Sequence, residues 1–412
     1  MKDTGGRVSA AGLRQGEGYR EKGEEMNVMK RIVSVLILLV LLAVMPNVFA
    51  EEAYDRMEML VINVRKADCI LLSYGDELYM IDTGSAESWG QVSCVLKTYG
   101  ISHLSGVILT HTDADHAGGL AALSASGIAI DRFYASCFYT CKENKHPAVL
   151  AAEKRGQKVT FLQAGDELPF GNGRLSVIAP LVRDEKENND SLVLLAEGGG
   201  GRFLLAGDME FPEEQTLLNA GTDLHADVLK IGNHGNDDAS SPAFVKAVSP
   251  KVAVISTNTV DEPDTPSPRI IRMLTDIGAE IAKTQEAEEG VLVVCRSGSL
   301  NVEYTSFPDP PAKATEVTVS GKDQKNDSVT ILNRGNADVD LSGWFLFSER
   351  GGETFVFPEG SILKAGQEIT VSSLSSKTAG DYVWQDKKIW HKSKEDCAVL
   401  YDAYGRIISY AY

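Results

Sequence analysis

His111, Asp113, Asp115 and His116 fall within six residues, in the stretch Thr110-His111-Thr112-Asp113-Ala114-Asp115-His116-Ala117-Gly118-Gly119. The apolar run Val107-Ile108-Leu109 before it reads as a buried strand, so the four side chains sit on the turn where that strand ends. A turn can aim positions i, i+2, i+4 and i+5 into one small volume, as a regular helix or strand cannot. Two carboxylates and two imidazoles in that volume are costly to bring together unless a cation neutralises them. Histidine with aspartate and no cysteine suits a borderline or hard divalent ion such as Zn²⁺ or Mn²⁺. The plain alternative is a polar loop with two incidental histidines. Only seven histidines in the whole chain disfavour it.

Further acids and an imidazole end other strand-like runs. Apolar runs at 57–64, 68–72 and 78–81 read as consecutive strands, with a tight hairpin at Tyr74-Gly75-Asp76, and the third ends on Asp82. Ser85 is placed to cap a helix running to about Tyr99, with Gly100 as its stop. A second helix is expected from Gly118-Gly119, and a third over 147–155 among short strands at 133–134, 159–161 and 175–178. Runs at 191–195 and 203–205 pair about the glycines 198–201, and the second ends on Ala206-Gly207-Asp208. A helix over 213–219 precedes the strand 226–231, which leads into Gly232-Asn233-His234-Gly235. After a strand at 252–256, Thr265-Pro266-Ser267-Pro268 caps a helix to Ile277, and runs at 291–295 and 300–304 close the sheet. Helices following strands in this way predict an α/β layered fold.

The bulk composition sets limits. At 412 residues, 43% hydrophobic, the chain has room for two domains. A net charge of −18 argues against a broad, non-specific grip on nucleic acid, but leaves room for a metal-centred or locally basic contact. Cysteines 69, 94, 137, 141, 295 and 397 are scattered without a CxxC pair, so neither a disulfide scaffold nor a zinc ribbon is expected. The spacing of Cys137 and Cys141, if helical, would strain a disulfide, and buried thiols are expected there. Lys30-Arg31, an apolar run over 32–45 and a small-residue site before Glu51 have the order of a secretory signal peptide, with cleavage after Ala50. That run is short for a membrane span of about 20 residues, so no stable span is expected after cleavage. The residues before it fit no leader plan, which makes Met26 or Met29 the expected start and residues 1–50 a spurious extension plus signal peptide; an N-terminal peptide from residues 1–20 in cells would contradict this.

Residues 307–315, with Phe307-Pro308-Asp309-Pro310-Pro311-Ala312, read as a Pro-rich linker between a first domain over 55–306 and a second over 316–412. In the second, short runs recur at turn-like spacing with almost no helical pattern, as in a small β-sandwich.

A ligand loop followed by a lone Asp and a lone His after later strands resembles the metallo-β-lactamase superfamily. The family pattern is HxHxDH; here it is His111-x-Asp113-x-Asp115-His116, with Asp in place of the second His. That variant resembles the ComEC-like branch, as do Lys66-Ala67-Asp68-Cys69, Ile81-Asp82-Thr83-Gly84, Asp190-Ser191-Leu192-Val193-Leu194, Ala206-Gly207-Asp208 and Val228-Leu229-Lys230-Ile231-Gly232-Asn233-His234-Gly235. The resemblance covers about 57–306 and implies a four-layer αβ/βα sandwich with two metal ions at one edge of its sheets. It implies His111 and Asp113 at a first ion, Asp115, His116 and His234 at a second, and Asp208 bridging both. Asp190 falls where a third ligand of the first ion usually lies, although an ordinary turn explains it equally. Asp82 is expected to orient a ligand. The chain departs from the branch at Asn233, where a first His of a pair is frequent, at Thr265, also frequently His, and at Arg65, usually Gly. Thr265 is thereby a candidate substrate contact.

The second domain resembles the lamin-tail domain, an immunoglobulin-like sandwich, over about 316–412. The carrying residues are Val329-Thr330-Ile331-Leu332-Asn333-Arg334-Gly335, Val339-Asp340-Leu341-Ser342-Gly343-Trp344 and Leu400-Tyr401-Asp402-Ala403-Tyr404-Gly405. Trp344 and Trp390 read first as core aromatics. Lys387, Lys388, Lys392 and Lys394, with His391, form a basic cluster that is a candidate contact for nucleic acid or a cell-surface polymer, against the plain reading of a solvated loop. Such tails often accompany secreted or surface hydrolases.

Two divalent ions, Zn²⁺ or Mn²⁺, clamping a phosphodiester around a shared hydroxide are the chemistry implied, with Asp115 or Asp208 accepting its proton. The expected protein is a secreted or cell-surface bacterial phosphodiesterase or nuclease acting on extracellular nucleic acid. The alternatives are a hydrolase of a small ester, lactone or β-lactam, and a cell-surface binding protein with a degenerate hydrolase domain.

Overall fold

The structure, a computed structural model, describes residues 55–307, 312–386, 388–391 and 393–412. The leader expected over 1–50, residues 308–311 of the Pro-rich linker, Lys387 and Lys392 lie outside these residues. Among the described residues no helix is long and apolar enough to cross a membrane.

Two sheets stack face to face. The first has eight strands, in the order Ser299–Thr305, Gly290–Arg296, Arg56–Ile62, Ile70–Tyr74, Glu77–Ile81, Gly106–Leu109, Phe133–Ser136 and Val159–Leu162. The second has seven, in the order Glu280–Lys283, Val252–Ile255, Val228–Lys230, Gly201–Leu205, Val193–Gly198, Arg174–Ala179 and Glu167–Leu168. The inner faces share one core, in which Met59, Leu72 and Ile108 meet Leu194, Phe203 and Val254. Helices Trp89–Thr98, Leu120–Ala125 and Pro147–Lys154 cover the first sheet, and Phe211–Ala220, Pro242–Val248 and Pro268–Asp276 the second. This is the four-layer αβ/βα sandwich of the metallo-β-lactamase fold. Strands buried on both faces read as continuous apolar runs, which is why Val107-Ile108-Leu109 was visible as one.

Two details differ from the sequence expectation. Ser85 makes no side-chain cap; a 3₁₀ turn at Ala86–Ser88 intervenes, closed by Ser88 Oγ donating to Ser85 O at 2.8 Å, and the α-helix starts at Trp89. Gly118 and Gly119 explain the turn, since a Cβ on Gly119 would lie 2.2 Å from Thr83 O and one on Gly118 2.5 Å from Ala86 N. The ligand loop packs backbone to backbone on this segment, and the turn accommodates it. Cys137 and Cys141 are free and half-buried on an irregular loop, so the helical argument for buried thiols does not apply.

The C-terminal part is an immunoglobulin-like sandwich. One sheet runs Val317–Asp323, Ser328–Asn333, Glu368–Ser373, Tyr382–Trp384, and the other Thr354–Val356, Phe345–Ser348, Ala398–Tyr401, Ile407–Ala411. Trp344, Trp384 and Trp390 are buried in its core, so they serve packing and offer no free face to a nucleobase. The sandwich also packs on the helical layer of the first sheet. Phe345 and Val356 share a core with Trp89, Leu96 and Leu123, and Phe345 stacks on Tyr401 with ring centroids 4.6 Å apart. Burying a phenylalanine contributes about 2 kcal/mol. Ser93 Oγ donates to Ala403 O at 3.1 Å, and the backbones of Gly90 and Gly405 touch.

Gly405 has φ +69°, and a Cβ there would fall 2.2 Å from Gly90 O. Gly405→Val is expected to cost about 2 kcal/mol or more, read as a lowered melting midpoint and faster proteolytic release of the tail. An unchanged midpoint and cleavage rate would mean the junction does not depend on this contact.

Candidate metal centre

The site forms where strands from both sheets end. Ile81 pairs with Ile108 in parallel register, which brings Asp82 beside Thr110. Asp82, at φ +56°, accepts from Thr110 N at 2.8 Å and Thr110 Oγ1 at 2.7 Å, and lies 2.7 Å from His116 Nδ1. This contact fixes the His116 ring and leaves its Nε2 facing the site. A single helical turn, Ala114–Ala117, carries Asp115 and His116, and Thr83 N and Oγ1 both donate to His116 O.

The second sheet supplies the rest. Leu205 pairs with Lys230 and Lys230 with Val254, so the ends of three parallel strands stand side by side. Asp208 follows the first, its amide donating to Ser191 Oγ at 3.3 Å. His234 follows the second in a 3₁₀ turn, Gly232–Gly235, where Asn233 and His234 are both left-handed. Such φ values are uncommon outside glycine and reflect a constrained turn. His234 Nδ1 sits 3.2 Å from Ser256 O, past the third strand.

These elements bring together ligand atoms of Asp115, His116, Asp208 and His234, all within 4.8 Å of one another. His116 Nε2 lies 3.2 Å from Asp208 Oδ1, and His234 Nε2 lies 3.4 Å from Asp115 Oδ2 and 3.5 Å from Asp208 Oδ2. His111 stands at the edge, its Nε2 3.7 Å from Asp113 Oδ2 and 4.0 Å from Asp208 Oδ2, with its ring 4.1 Å from that of His116. The Nε2 atoms of His111, His116 and His234 and Oδ1 of Asp208 are all buried without a hydrogen-bond partner. Buried polar atoms are seldom left so. Three imidazole nitrogens and a carboxylate oxygen aimed at one space are the donor set of a borderline divalent ion, and these residues fit one.

The charges agree. Burial alone would pull His234 down, but the neighbouring Asp208 and Asp115 carboxylates push it up to about 9. Burial likewise opposes the charged His116, yet Asp208 and Asp82 raise it well above its usual value. Asp208 is held well below the carboxylate range by His116 and His234 despite its burial, and Asp115, also against burial, falls to about 2 beside His234 and His116.

Beneath the site lies a pair whose role the sequence did not reveal. Lys230 is fully buried, and its Nζ donates to Asp68 Oδ2 at 2.8 Å and Ile231 O at 3.1 Å. Asp68 also accepts from Ser256 Oγ and lies 3.8 Å from His234 Nδ1. Burial pushes Asp68 up, but Lys230, His234 and His116 hold it below its usual value. The signal in the sequence was a lysine inside the apolar run Val228-Leu229-Lys230-Ile231.

The other candidates are placed as follows. Asp113 is exposed at the mouth beside His111. Asp190 is buried, with Oδ1 accepting from Asp184 N at 2.8 Å and Oδ2 without a partner, and it falls outside the four-residue group. Thr265 is buried and its hydroxyl donates to Asn236 Oδ1 at 3.0 Å. Asn233 donates to Glu210 Oε1 and Asp238 Oδ1, both at 3.2 Å, and so ties its own turn together. Glu187, not anticipated, accepts from Thr112 N at 3.1 Å and braces the ligand loop. Lys388 and Lys394 are exposed on the C-terminal sandwich.

Comparisons with known proteins agree with this architecture. Residues 62–132 match the model of the metallo-beta-lactamase superfamily, and residues 310–412 that of the lamin tail domain. ComE operon protein 3 of Bacillus subtilis is 27% identical over 248 residues, covering 54% of this chain and 32% of that protein. Competence protein ComA of Neisseria gonorrhoeae is 26% identical over 243 residues, covering 59% and 32%. The chain thus spans about a third of the length of these relatives. Among solved structures, the metallo-beta-lactamase fold protein YhfI of Bacillus subtilis aligns with a TM-score of 0.40 at 14% identity, covering 58% of this chain and 99% of that one.

Two predictions follow from the site's charges. A group whose pKa is raised on folding stabilises fully below its unfolded value, here 6.5, and loses that contribution as pH rises through about 9. The melting midpoint of metal-free protein should therefore fall on going from about pH 7 to about pH 10, while the Zn²⁺-loaded protein changes less. Metal binding near pH 7 should release protons, seen as a binding heat that depends on buffer ionisation enthalpy; a buffer-independent heat would contradict the assignment. Separately, Lys230→Met leaves Asp68 buried and unpaired, and should destabilise by roughly 3–5 kcal/mol in denaturant unfolding.

Proposed function

We propose that this metallo-β-lactamase-fold hydrolase is a secreted or cell-surface, metal-dependent phosphodiesterase acting on nucleic acid. The observation that carries the hydrolase reading is the convergence of unpartnered His111, His116 and His234 Nε2 with Asp208 Oδ1 at the sheet edge. Nucleic acid as substrate is supported by the similarity to a competence protein. The acidic surface favours a local, metal-centred contact over a diffuse one.

His111 and Asp113 would hold one divalent ion, Asp115, His116 and His234 a second, with Asp208 between them and Asp190 a further candidate beside the first. Bound there, such ions supply Lewis acidity and water acidified toward neutral pH. The chain's own residues do the rest. Asp82 locks His116 through Nδ1, and Ser256 O holds the His234 ring from behind. Asp115 is partly exposed at the mouth, where its carboxylate is a candidate to accept a proton from attacking water. The Lys230–Asp68 pair braces the site from beneath, with Asp68 3.8 Å from His234 Nδ1. Thr265 at the 233–236 turn and the lysines 387, 388, 392 and 394 of the tail are candidate substrate contacts.

Metal analysis of the purified protein should find about two ions per chain after reconstitution with Zn²⁺ or Mn²⁺. Single- and double-stranded DNA, RNA and bis-p-nitrophenyl phosphate should be cleaved in preference to nitrocefin. His116→Ala and Asp115→Ala should each lower that rate by more than the roughly 10–100-fold that losing an outer-shell partner costs. Phosphodiesters left intact under every metal, with nitrocefin or a lactone turned over, would instead establish a small-substrate hydrolase. Fewer than one ion bound and no turnover would establish a binding protein.

A further inference from the structure

Arg65 and Lys66 stand side by side on the turn between strands Arg56–Ile62 and Ile70–Tyr74, and both are held by acids of one loop. Arg65 Nε donates to Asp261 Oδ2 at 2.6 Å and its Nη2 to Asp261 Oδ1, a two-pronged grip. Lys66 Nζ lies 2.8 Å from Glu262 Oε2. Asp261 and Glu262 belong to residues 257–265, which join strand Val252–Ile255 to helix Pro268–Asp276.

Both segments are rooted in the metal centre. The turn ends at Asp68, whose amide donates to Asp115 O at 3.1 Å. The loop begins just after Ser256, which holds His234 and Asp68. The two cations and their acids are thus carried by segments anchored, at Asp68 and Ser256, to the residues that brace the metal centre.

Stability does not account for the arrangement. Arg65 adopts φ +67°, a strained conformation for a side chain of its size. Its side chain is 67% exposed, and ion pairs in such a setting contribute little because solvent and salt screen them. The guanidinium fork fits phosphate as well as it fits carboxylate. An open groove of about 750 Å³ runs beside Arg65, lined by Asn63, Ser85, Asn258 and Thr259 and also by the carboxylates of Glu87 and Glu288, with Tyr401 of the tail along one side. Its hydroxyls and amides can hydrogen-bond sugar oxygens, and among the lining residues Arg65 is the cation that could meet a phosphate.

We propose that Arg65 and Lys66 form a second phosphate subsite, for the phosphate flanking the scissile one in a polynucleotide. Asp261 and Glu262 fill that subsite in the free protein, and the substrate displaces them. Naming the ligand a polynucleotide rests on the phosphodiesterase reading above; the exchange of carboxylate for phosphate at these cations does not need hydrolysis. A polymer spanning several phosphates gains from the exchange, whereas a small ester reaching only the metal centre does not.

The test is binding of a fluorescent single-stranded oligonucleotide to metal-free protein, by anisotropy over a range of salt concentrations. Arg65→Gln/Lys66→Gln should bind about tenfold more weakly than wild type, with the log-affinity against log-salt slope shallower by roughly 1.4 for two lost contacts. Asp261→Asn/Glu262→Gln should bind about fivefold more tightly, since the competing carboxylates are gone. Melting midpoints near the wild-type value show that both variants fold, and the opposite signs of the two effects exclude a general loss of structure. Unchanged affinity in both variants, or binding too weak to detect in wild type and in Asp261→Asn/Glu262→Gln alike, overturns the subsite. If wild type cleaves no phosphodiester yet the variants shift binding as stated, the subsite stands and the phosphodiesterase reading falls. If wild type cleaves nucleic acid and neither variant shifts binding, the reverse holds.

Discussion

Three buried carboxylates, Asp68, Asp82 and Asp208, lie beneath one small patch of surface, and the architecture of the sheet edge is an answer to their charge. Isolated anions in such a place would be prohibitively costly. Asp68 is met by Lys230 from the neighbouring sheet, and Asp82 by the Thr110 amide and hydroxyl and by His116. Asp208 is left facing His116 and His234 with one oxygen unpartnered. The two sheets must meet in this register for the compensation to work. The core that joins them and the polar seam at their edge are parts of one constraint.

What was legible in the sequence was whatever the constraint expresses locally. His111, Asp113, Asp115 and His116 are crowded within six residues, and Asp208 and His234 each close an apolar run, so type and position could be read without a fold. Asp82 could be assigned an orienting role because it too ends a strand. Asp68 and Lys230 could not be paired, because 162 residues separate them and each looks like a lone polar residue in an apolar segment. The 3₁₀ turn before Trp89 was hidden for a similar reason: Ser85 looks like a cap, but what decides the local conformation is the close packing of Gly118 and Gly119 against it. The hydroxyl of Thr265 and the amide of Asn233 are taken up by neighbours that only the folded turn brings near.

The C-terminal sandwich shows the same limit at a larger scale. Its strands were readable from their spacing, but Phe345 and Val356 look like any other core residues of a β-domain. They belong instead to the core beneath the helices of the first sheet. The change of pattern after residue 306 suggested a second module on a tether. The structure shows a module that lends Phe345 and Val356 to its neighbour's core, and whose Tyr401 reaches the groove beside Arg65.

The Gly90–Gly405 contact bears on how such a pairing could arise or be exchanged. Most interfaces between modules are written in side chains, which drift and can be re-matched one at a time. Here part of the interface is written in the absence of side chains, with the Gly405 Cα facing the Gly90 backbone and no room for a β-carbon. A different sandwich grafted at this point would have to bring its own glycine in a left-handed turn at the same height. Module exchange at this junction is therefore constrained by backbone shape.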